Sequence, residues 1–304
     1  MKKMMCISTN VIIGLIFLSC ETKINPALQE AVPTLAVDAW VSNRPGNQTI
    51  ILIKTQAYFD NSLPLAVSGA VVTIIDNLNN VFVFEEDSAK PGHYVWKPVG
   101  TEVFGAIGNT YKLVVTAEGE KYEASSRMGR VPVIDSITFK KNEPTQPNPD
   151  FYRGEFWATD PQGSGDAYWI RTTKNGIFSN KPSEINIAYD AGFAPGGNID
   201  GITFIPPIRG RINPNEKDAT GKVLSPYVPG DSAFVEINSI TVAAFDYLNE
   251  VSIQTNRPGG FSELFARPIA NVSTNIVNLN PNGKKAVGFF NVAAVSSLGK
   301  KFKK

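Results

Sequence analysis

Cys20 follows an N-terminal segment of the kind that directs a cysteine thiol to lipid attachment. Lys2 and Lys3 precede the apolar run 11–18, and Ser19 places a small residue directly before the cysteine. The run is shorter than the roughly 18–20 residues that cross a bilayer, so residues 1–19 are predicted to be a signal peptide. In a lipoprotein signal the thiol forms a thioether with diacylglycerol and the chain is cut before the cysteine, so acyl chains such as palmitate hold the protein at a membrane. An ordinary secretory signal and a short N-terminal anchor are the alternatives.

Residue types that perform catalysis are otherwise scarce. The chain has one histidine, His93, and its other cysteine, Cys6, lies in the predicted signal. A Ser-His-Asp triad would have to be built on His93, but no Gly-x-Ser-x-Gly segment supplies the serine. One histidine without a free thiol excludes the usual zinc, copper and haem sites. We therefore predict a protein that is not an enzyme and has no cofactor.

The run 160–166 is a candidate for a cation loop. Asp160 and Asp166 place carboxylates at its two ends, and the alternation of side-chain oxygens with a glycine next to last is how short calcium loops begin. The bidentate acid expected at the twelfth position is missing, because Arg171 stands there. A plain polar hairpin loop is the alternative and the preferred interpretation.

Aromatic side chains near this loop are candidates for ligand binding, since exposed rings beside carboxylates can stack on sugars or on ligand rings. The candidates are Tyr152, Trp157 and Trp169. The alternative is that these rings pack in the core or on the sheets, because several of them lie in predicted strands.

The elements that would position these residues are mainly strands. Residues 35–42 alternate apolar and polar side chains, the pattern of a strand with one buried face. Six further short strands are predicted before residue 130, bounded by Gly, Pro, Asn or Asp, at 49–54, 70–75, 81–84, 92–96, 110–115 and 121–124. This spacing predicts an immunoglobulin- or prealbumin-like antiparallel sandwich over residues 34–130.

A second β-rich domain is predicted over residues 131–297. Its strands are expected at 154–159, 167–171, 234–237 and 286–292, with long irregular stretches between them. One helix is predicted at about 242–254, capped by Thr241. Residues 20–33 are predicted to be a tether, and the segment 142–150 to be a linker or a long loop.

Charge excludes one class of partner. The chain has 29 basic and 28 acidic side chains, and four of its lysines lie in its last five residues. A protein with nearly equal numbers of basic and acidic side chains lacks the positive surface that nucleic-acid binding requires. Residues 298–304 are predicted to form a basic tail that is a solvated, frayed end.

The order of several motifs resembles that of a known family. These are the lipoprotein cysteine and the segments 35–46, 56–60, 67–70, 105–111, 131–137, 227–231, 270–276 and 287–290. Together they resemble the domain-of-unknown-function family 4249, which comprises lipoproteins of Bacteroidetes-type outer membranes. The resemblance implies a lipid-anchored protein on the periplasmic or cell-surface face of the outer membrane, often associated with a TonB-dependent receptor. It implies no catalytic residue.

Three functions are compatible with these observations. We expect a binding or accessory protein beside a TonB-dependent transport complex, attached to the membrane by its lipid. A structural or adhesive surface lipoprotein is the first alternative. A glycan or peptide hydrolase is the second, and it would require a cleft holding two acids about 5–10 Å apart.

Overall fold

Strands dominate the fold, as the period-two pattern predicts. The computed structural model describes residues 32–57, 60–196 and 198–303. The first eight strands are β1 (Leu35–Ser42), β2 (Gln48–Lys54), β3 (Val71–Asp76), β4 (Val81–Glu86), β5 (His93–Trp96), β6 (Thr110–Ala117), β7 (Glu120–Arg127) and β8 (Ile134–Lys141). The next eight are β9 (Tyr152–Ala158), β10 (Ala167–Lys174), β11 (Ile177–Phe178), β12 (Asn186–Tyr189), β13 (Ser232–Ile240), β14 (Val277–Asn278), β15 (Ala286–Ala293) and β16 (Val295–Lys301).

Helices are short and few among the described residues. The predicted helix is present as α2 (Val242–Thr255), and the Thr241 hydroxyl accepts a hydrogen bond from the Ala244 N–H as its N-cap. A one-turn helix, α1 (Pro206–Arg209), lies in the stretch predicted to be irregular. One turn is too short to show a helical period in the sequence. Three 3₁₀ turns occupy Pro182–Glu184, Gly210–Ile212 and Gly260–Phe265.

The first seven strands form the predicted sandwich, as part of a nine-stranded sheet that nearly closes into a barrel. Its strand order is β14-β7-β6-β3-β4-β5-β2-β1-β15. The Val292 N–H of β15 donates to Ser126 Oγ of β7 at 3.0 Å, which links strands near opposite ends of this order. The inward side chains of β1, which include Val37 and Ala39, are fully buried. The core is built by alternating side chains, as the sequence pattern predicts.

Strand β15 joins the sandwich from the far end of the chain. It pairs with β1 in parallel, from Leu35 opposite Ala286 to Ser42 opposite Ala293. Gly288 has a φ of +94°, and a Cβ at this position would overlap the Val37 carbonyl oxygen and lie 2.8 Å from the Val37 carbonyl carbon. Only glycine permits both this backbone conformation and this close approach.

The second part of the chain forms two further sheets. Strands β8 and β9 pair as an antiparallel hairpin, and β11, β10, β13 and β16 form another sheet in which β12 also pairs with β10. The segment 142–150 is therefore the hairpin loop between β8 and β9, not a linker. A second core, which includes Phe156, Tyr168 and Tyr227, lies between these sheets and α1.

The lysine-rich end is ordered, so the prediction of a frayed end is wrong. Strand β16 pairs with β13 from Ser232 opposite Lys301 to Asn238 opposite Val295. Phe302 is buried and its ring stacks on Phe139 with centroids 4.8 Å apart. The prediction rested on the charge of the lysines, whereas the apolar residues Val295, Leu298 and Phe302 of the same segment pair or pack.

Residues 33–56 and the described part of 62–304 form one compact unit. The division into domains at 34–130 and 131–297 stays a prediction, although β15 returns from the second range to the first sheet. Residues 57, 60 and 61 are described separately, and among them the Asp60 N–H donates to the Ala57 carbonyl at 3.0 Å. The signal at 1–19 and most of the tether at 20–33 lie outside the described residues.

Candidate functional site

The predicted lipid attachment at Cys20 lies outside the described residues, so it stays a prediction. Within the part of the chain that the structure describes, no helix has both the length and the apolar character needed to cross a membrane.

Two of the three aromatic candidates, Tyr152 and Trp157, pack against other side chains of the protein. The ring of Tyr152 lies against the buried Phe302, with centroids 5.0 Å apart. The indole N–H of Trp157 donates to Thr138 Oγ1 at 3.0 Å, and the Arg209 guanidinium covers its ring at 4.0 Å. These contacts give both rings a packing role.

Trp169 occupies a different environment because of the register of β10 and β13. Trp169 lies opposite Asn238, and Arg171 lies opposite Glu236. Side chains two residues apart on a strand share a face, so these four side chains lie on one face of the sheet. The alternate residues, Tyr168 and Ile170 among them, enter the second core.

This face forms one wall of a cleft, and strand β1 forms the other. The ring of Trp40, on the outward face of β1, meets the ring of Trp169 edge to face with centroids 5.1 Å apart. Arg44, in the turn after β1, reaches across to Glu236. The cleft encloses a volume of about 220 Å³ and is also lined by the polar residues Ser42, Asn47, Gln48, Thr49, Asn238 and Asn291.

A buried carboxylate organises the charges of the cleft. Glu236 is only 5% exposed. Its Oε2 accepts a hydrogen bond from Arg44 Nη1 at 2.9 Å, and its Oε1 accepts one from Asn238 Nδ2 at 3.2 Å. Arg171 Nη1 lies 3.7 Å from Oε1, close enough for an ion pair but too far for a hydrogen bond. Removing its charged partners would leave Glu236 as an uncompensated buried charge.

The guanidinium of Arg171 is fixed in position, but its N–H groups donate no hydrogen bond to the described residues. Its guanidinium lies 4.9 Å from the ring centre of Trp169 and 4.5 Å from that of Phe178. Its Nε is buried and has no hydrogen-bond partner among the described residues, an arrangement that costs about 1–3 kcal/mol. Burial lowers the pKa of Arg171, and the neighbouring Glu236 acts in the opposite direction. The guanidinium stays charged at any physiological pH.

The cleft has the features of a small-molecule site: a concave shape, aromatic walls and a few converging polar groups. Sequence reasoning selected Trp169 but missed Trp40, Arg44 and Glu236. Trp40 has the pattern of an ordinary outward-facing strand residue, and Glu236 is one of 28 acids. The residues come together only through the packing of β1 against the sheet of β10 and β13. Such packing produces no recognisable motif in the local sequence.

The candidate cation loop at 160–166 connects strands of different sheets, so it is not a hairpin loop. Asp166 forms an ion pair with Arg130 at 2.6 Å, and the same guanidinium donates to the carbonyls of Gln162 and Gly163 at 2.7 and 2.6 Å. Asp166 is thus neutralised by an arginine from the segment after β7. This arginine ties the loop to the end of the sandwich.

Asp160 meets two acids that the sequence pattern did not single out. Carboxylate oxygens of Asp160, Asp190 and Asp200 lie within 4.8 Å of one another, and the first two residues are buried. Asp160 accepts hydrogen bonds from the Tyr168 hydroxyl at 2.6 Å and the Gly201 N–H at 3.2 Å. Burial raises the pKa of Asp160, and these two hydrogen bonds oppose the rise.

The other two acids also accept backbone hydrogen bonds. Asp190 Oδ1 accepts from the N–H groups of Gly165 and Asp166 at 2.8 and 3.0 Å, and Asp200 accepts from the Gly163 N–H at 2.9 Å. The loop between β9 and β10 is thereby fastened to the segment between β12 and α1, which holds both Asp190 and Asp200. The geometry would suit oxygen ligands of a cation, but the hydrogen bonds give each carboxylate a structural role in the described loops.

Comparison with known proteins identifies one family. The model described as Domain of unknown function (DUF4249) matches residues 21–298, which confirms the resemblance seen in the sequence. A search of curated proteins finds no match. The match covers nearly the whole of a chain whose fold is the mainly β arrangement described above. The chain belongs to the DUF4249 family.

Proposed function

We propose that this protein is a lipid-anchored binding protein of the outer membrane, that it acts as an accessory to a TonB-dependent transport complex, and that it performs no catalysis. The observation that carries the binding role is the cleft between β1 and the face of the β10–β13 sheet, which Trp40 and Trp169 both line. Its charged and polar groups converge on an enclosed space, as in sites that hold a small ligand.

The membrane location is supported by the sequence around Cys20. A short apolar run that ends at a cysteine fits lipid attachment, and several acyl chains at about 0.8 kcal/mol per buried methylene give firm anchoring. The proposed partnership with a TonB-dependent receptor rests on the resemblance to outer-membrane lipoproteins.

The anchor is tested by fractionation of cells expressing Cys20→Ser. We expect the variant in the soluble fraction, and wild type in the membrane fraction with a mature chain that starts at residue 20. Cys6→Ser is the matched control, because Cys6 lies within the predicted signal, and it should remain in the membrane fraction. Membrane retention of Cys20→Ser would contradict the proposed anchor.

The partnership is tested by co-purification from membranes solubilised in a mild detergent. We expect an outer-membrane barrel protein to be recovered with the wild-type chain and identified by mass spectrometry. Recovery of the chain alone in repeated preparations, including preparations crosslinked before solubilisation, would contradict the accessory role.

A further inference from the structure

We propose that the cleft binds a hydroxylated carboxylate of about the size of one sugar residue, such as a uronic acid, and that Arg171 and Arg44 hold its carboxylate. This inference rests on the proposed function in one respect, the assignment of ligand binding to the cleft. It adds the chemical class of the ligand.

The charges that line the cleft favour an anion. Two guanidiniums, those of Arg44 and Arg171, face one carboxylate, that of Glu236. The lining therefore carries a surplus of one positive charge, and Asp38, on the outward face of β1 but outside the lining, is the further carboxylate that acts on Arg171. Guanidinium groups present paired N–H donors that match the two oxygens of a carboxylate.

Arg171 has the donors that such a ligand requires. Its Nη1 lies beyond hydrogen-bond distance of Glu236 Oε1, and the rings of Trp169 and Phe178 hold the group in place. Its Nε is buried, so the terminal nitrogens are the donors that a ligand would meet. Its side chain is 35% exposed, so a ligand can reach it from solvent. A cation that is positioned in advance loses little conformational freedom on binding.

Arg209 provides a comparison, because it is an arginine stacked on a tryptophan whose role is structural. It also lies over a tryptophan, Trp157, and its Nε is also buried without a partner. However, its Nη1 donates to the Phe204 carbonyl at 2.8 Å and its Nη2 donates to Glu155 at 3.4 Å. Arg171 makes no comparable hydrogen bonds with the described residues, so its terminal nitrogens are available to a ligand.

The size and the neutral lining of the cleft define the rest of the ligand. Its volume of about 220 Å³ lies below the roughly 300–1,000 Å³ of sites that hold drug-sized molecules. The side chains of Asn47, Thr49 and Asn238 offer neutral hydrogen-bonding groups around this space. Such a lining suits hydroxyl groups better than an alkyl chain.

Isothermal titration calorimetry of the full chain, purified in detergent, tests this inference with three probes. These are D-galacturonate, D-galactose, which lacks the carboxylate, and inorganic phosphate. We expect saturable binding of galacturonate alone. Arg171→Gln should weaken that binding by about tenfold or more, because it removes hydrogen bonds to a charged group. Arg127→Gln, which alters an exposed arginine at the end of β7, is the matched control and should bind as wild type does.

A second variant keeps the test decisive if Arg171→Gln does not fold. Arg44 lies in a turn, its side chain is 60% exposed, and Arg171 would still lie 3.7 Å from Glu236, so Arg44→Gln should retain the fold and still weaken galacturonate binding. Equal binding of galacturonate and galactose, binding of phosphate alone, or no binding of any probe would each overturn the inference. None of these results would alter the fractionation of Cys20→Ser or the co-purification, so failure of the ligand class is distinguishable from failure of the proposed function.

Discussion

Gly288 is the position at which a single added methyl group should most strongly disturb the junction between the two ends of the chain. Its φ of +94° is a conformation that side chains with a Cβ rarely adopt, and forcing it costs about 1–3 kcal/mol. A Cβ there would also lie 2.8 and 2.9 Å from the carbonyl carbon and nitrogen of Val37, besides overlapping the Val37 oxygen.

The steric overlap should add to the cost of the backbone conformation, because the atoms that a Cβ would meet belong to the Val37 backbone and cannot rotate aside. Overpacking of this kind costs typically about 1–3 kcal/mol. We therefore expect Gly288→Ala to lower the free energy of unfolding by roughly 3–5 kcal/mol, a large part of the about 5–15 kcal/mol of a typical domain. The parallel pairing of β1 with β15 should be lost first.

Gly46→Ala separates the two contributions. Gly46 has a φ of +106°, but a Cβ there would meet nothing within 4 Å, so only the conformational term applies. Urea unfolding followed by tryptophan fluorescence measures both variants against wild type. The reasoning would be refuted if Gly288→Ala were no less stable than Gly46→Ala.

Three further predictions concern the end of the chain and the acidic loops. Phe302→Ala should lower the free energy of unfolding by about 3 kcal/mol or more, since it empties a buried site, whereas the matched change at the exposed Phe261 should have little effect in the same urea titration. Equal effects at both positions would show that the end of the chain is not packed. Burial raises the pKa of Asp160 above its ordinary 3.8, so the neutral acid contributes stability that is complete below pH 3.8 and is lost as the pH rises through the raised pKa. The free energy of unfolding of wild type minus that of Asp160→Asn should therefore fall between pH 3.8 and neutrality, and a constant difference would contradict this reasoning. Because hydrogen bonds within the protein already engage the carboxylates around the loop 160–166, calcium and a chelator should leave the melting temperature unchanged in differential scanning fluorimetry; a rise of several degrees with calcium would instead identify a cation site there.

Local pattern was sufficient to predict much of the fold. All seven strands predicted before residue 130 are present, because short apolar or alternating runs bounded by Gly, Pro, Asn or Asp are typical of strands. Helix α2 was likewise predictable from its apolar period and its cap. Strand β16 was not, since only two of its seven residues, Val295 and Leu298, are apolar, and the segment shows no strand pattern without its partner strand.

The candidate site was much less predictable, for a physical reason. Trp169 and Arg171 lie one strand from Glu236 but 65 or more residues away along the chain, and Trp40 lies on another sheet. Each looks like an ordinary strand residue in isolation. The cleft depends on which sheet faces cover one another, a property of long-range packing that spacing along a single sequence does not record.

The parallel pairing of β1 with β15 constrains when this protein can complete its folding. One long edge of β1 has no partner until residues 286–293 have left the ribosome, about 250 positions later. An unpaired edge is a site where other chains can add, so a folding intermediate is exposed to aggregation throughout synthesis. Such distant pairing also makes closure slow, because the entropy of the intervening loop is lost before the contact forms. Chaperones that shield strand edges during synthesis would therefore have their greatest effect on this chain before its C-terminal residues are made.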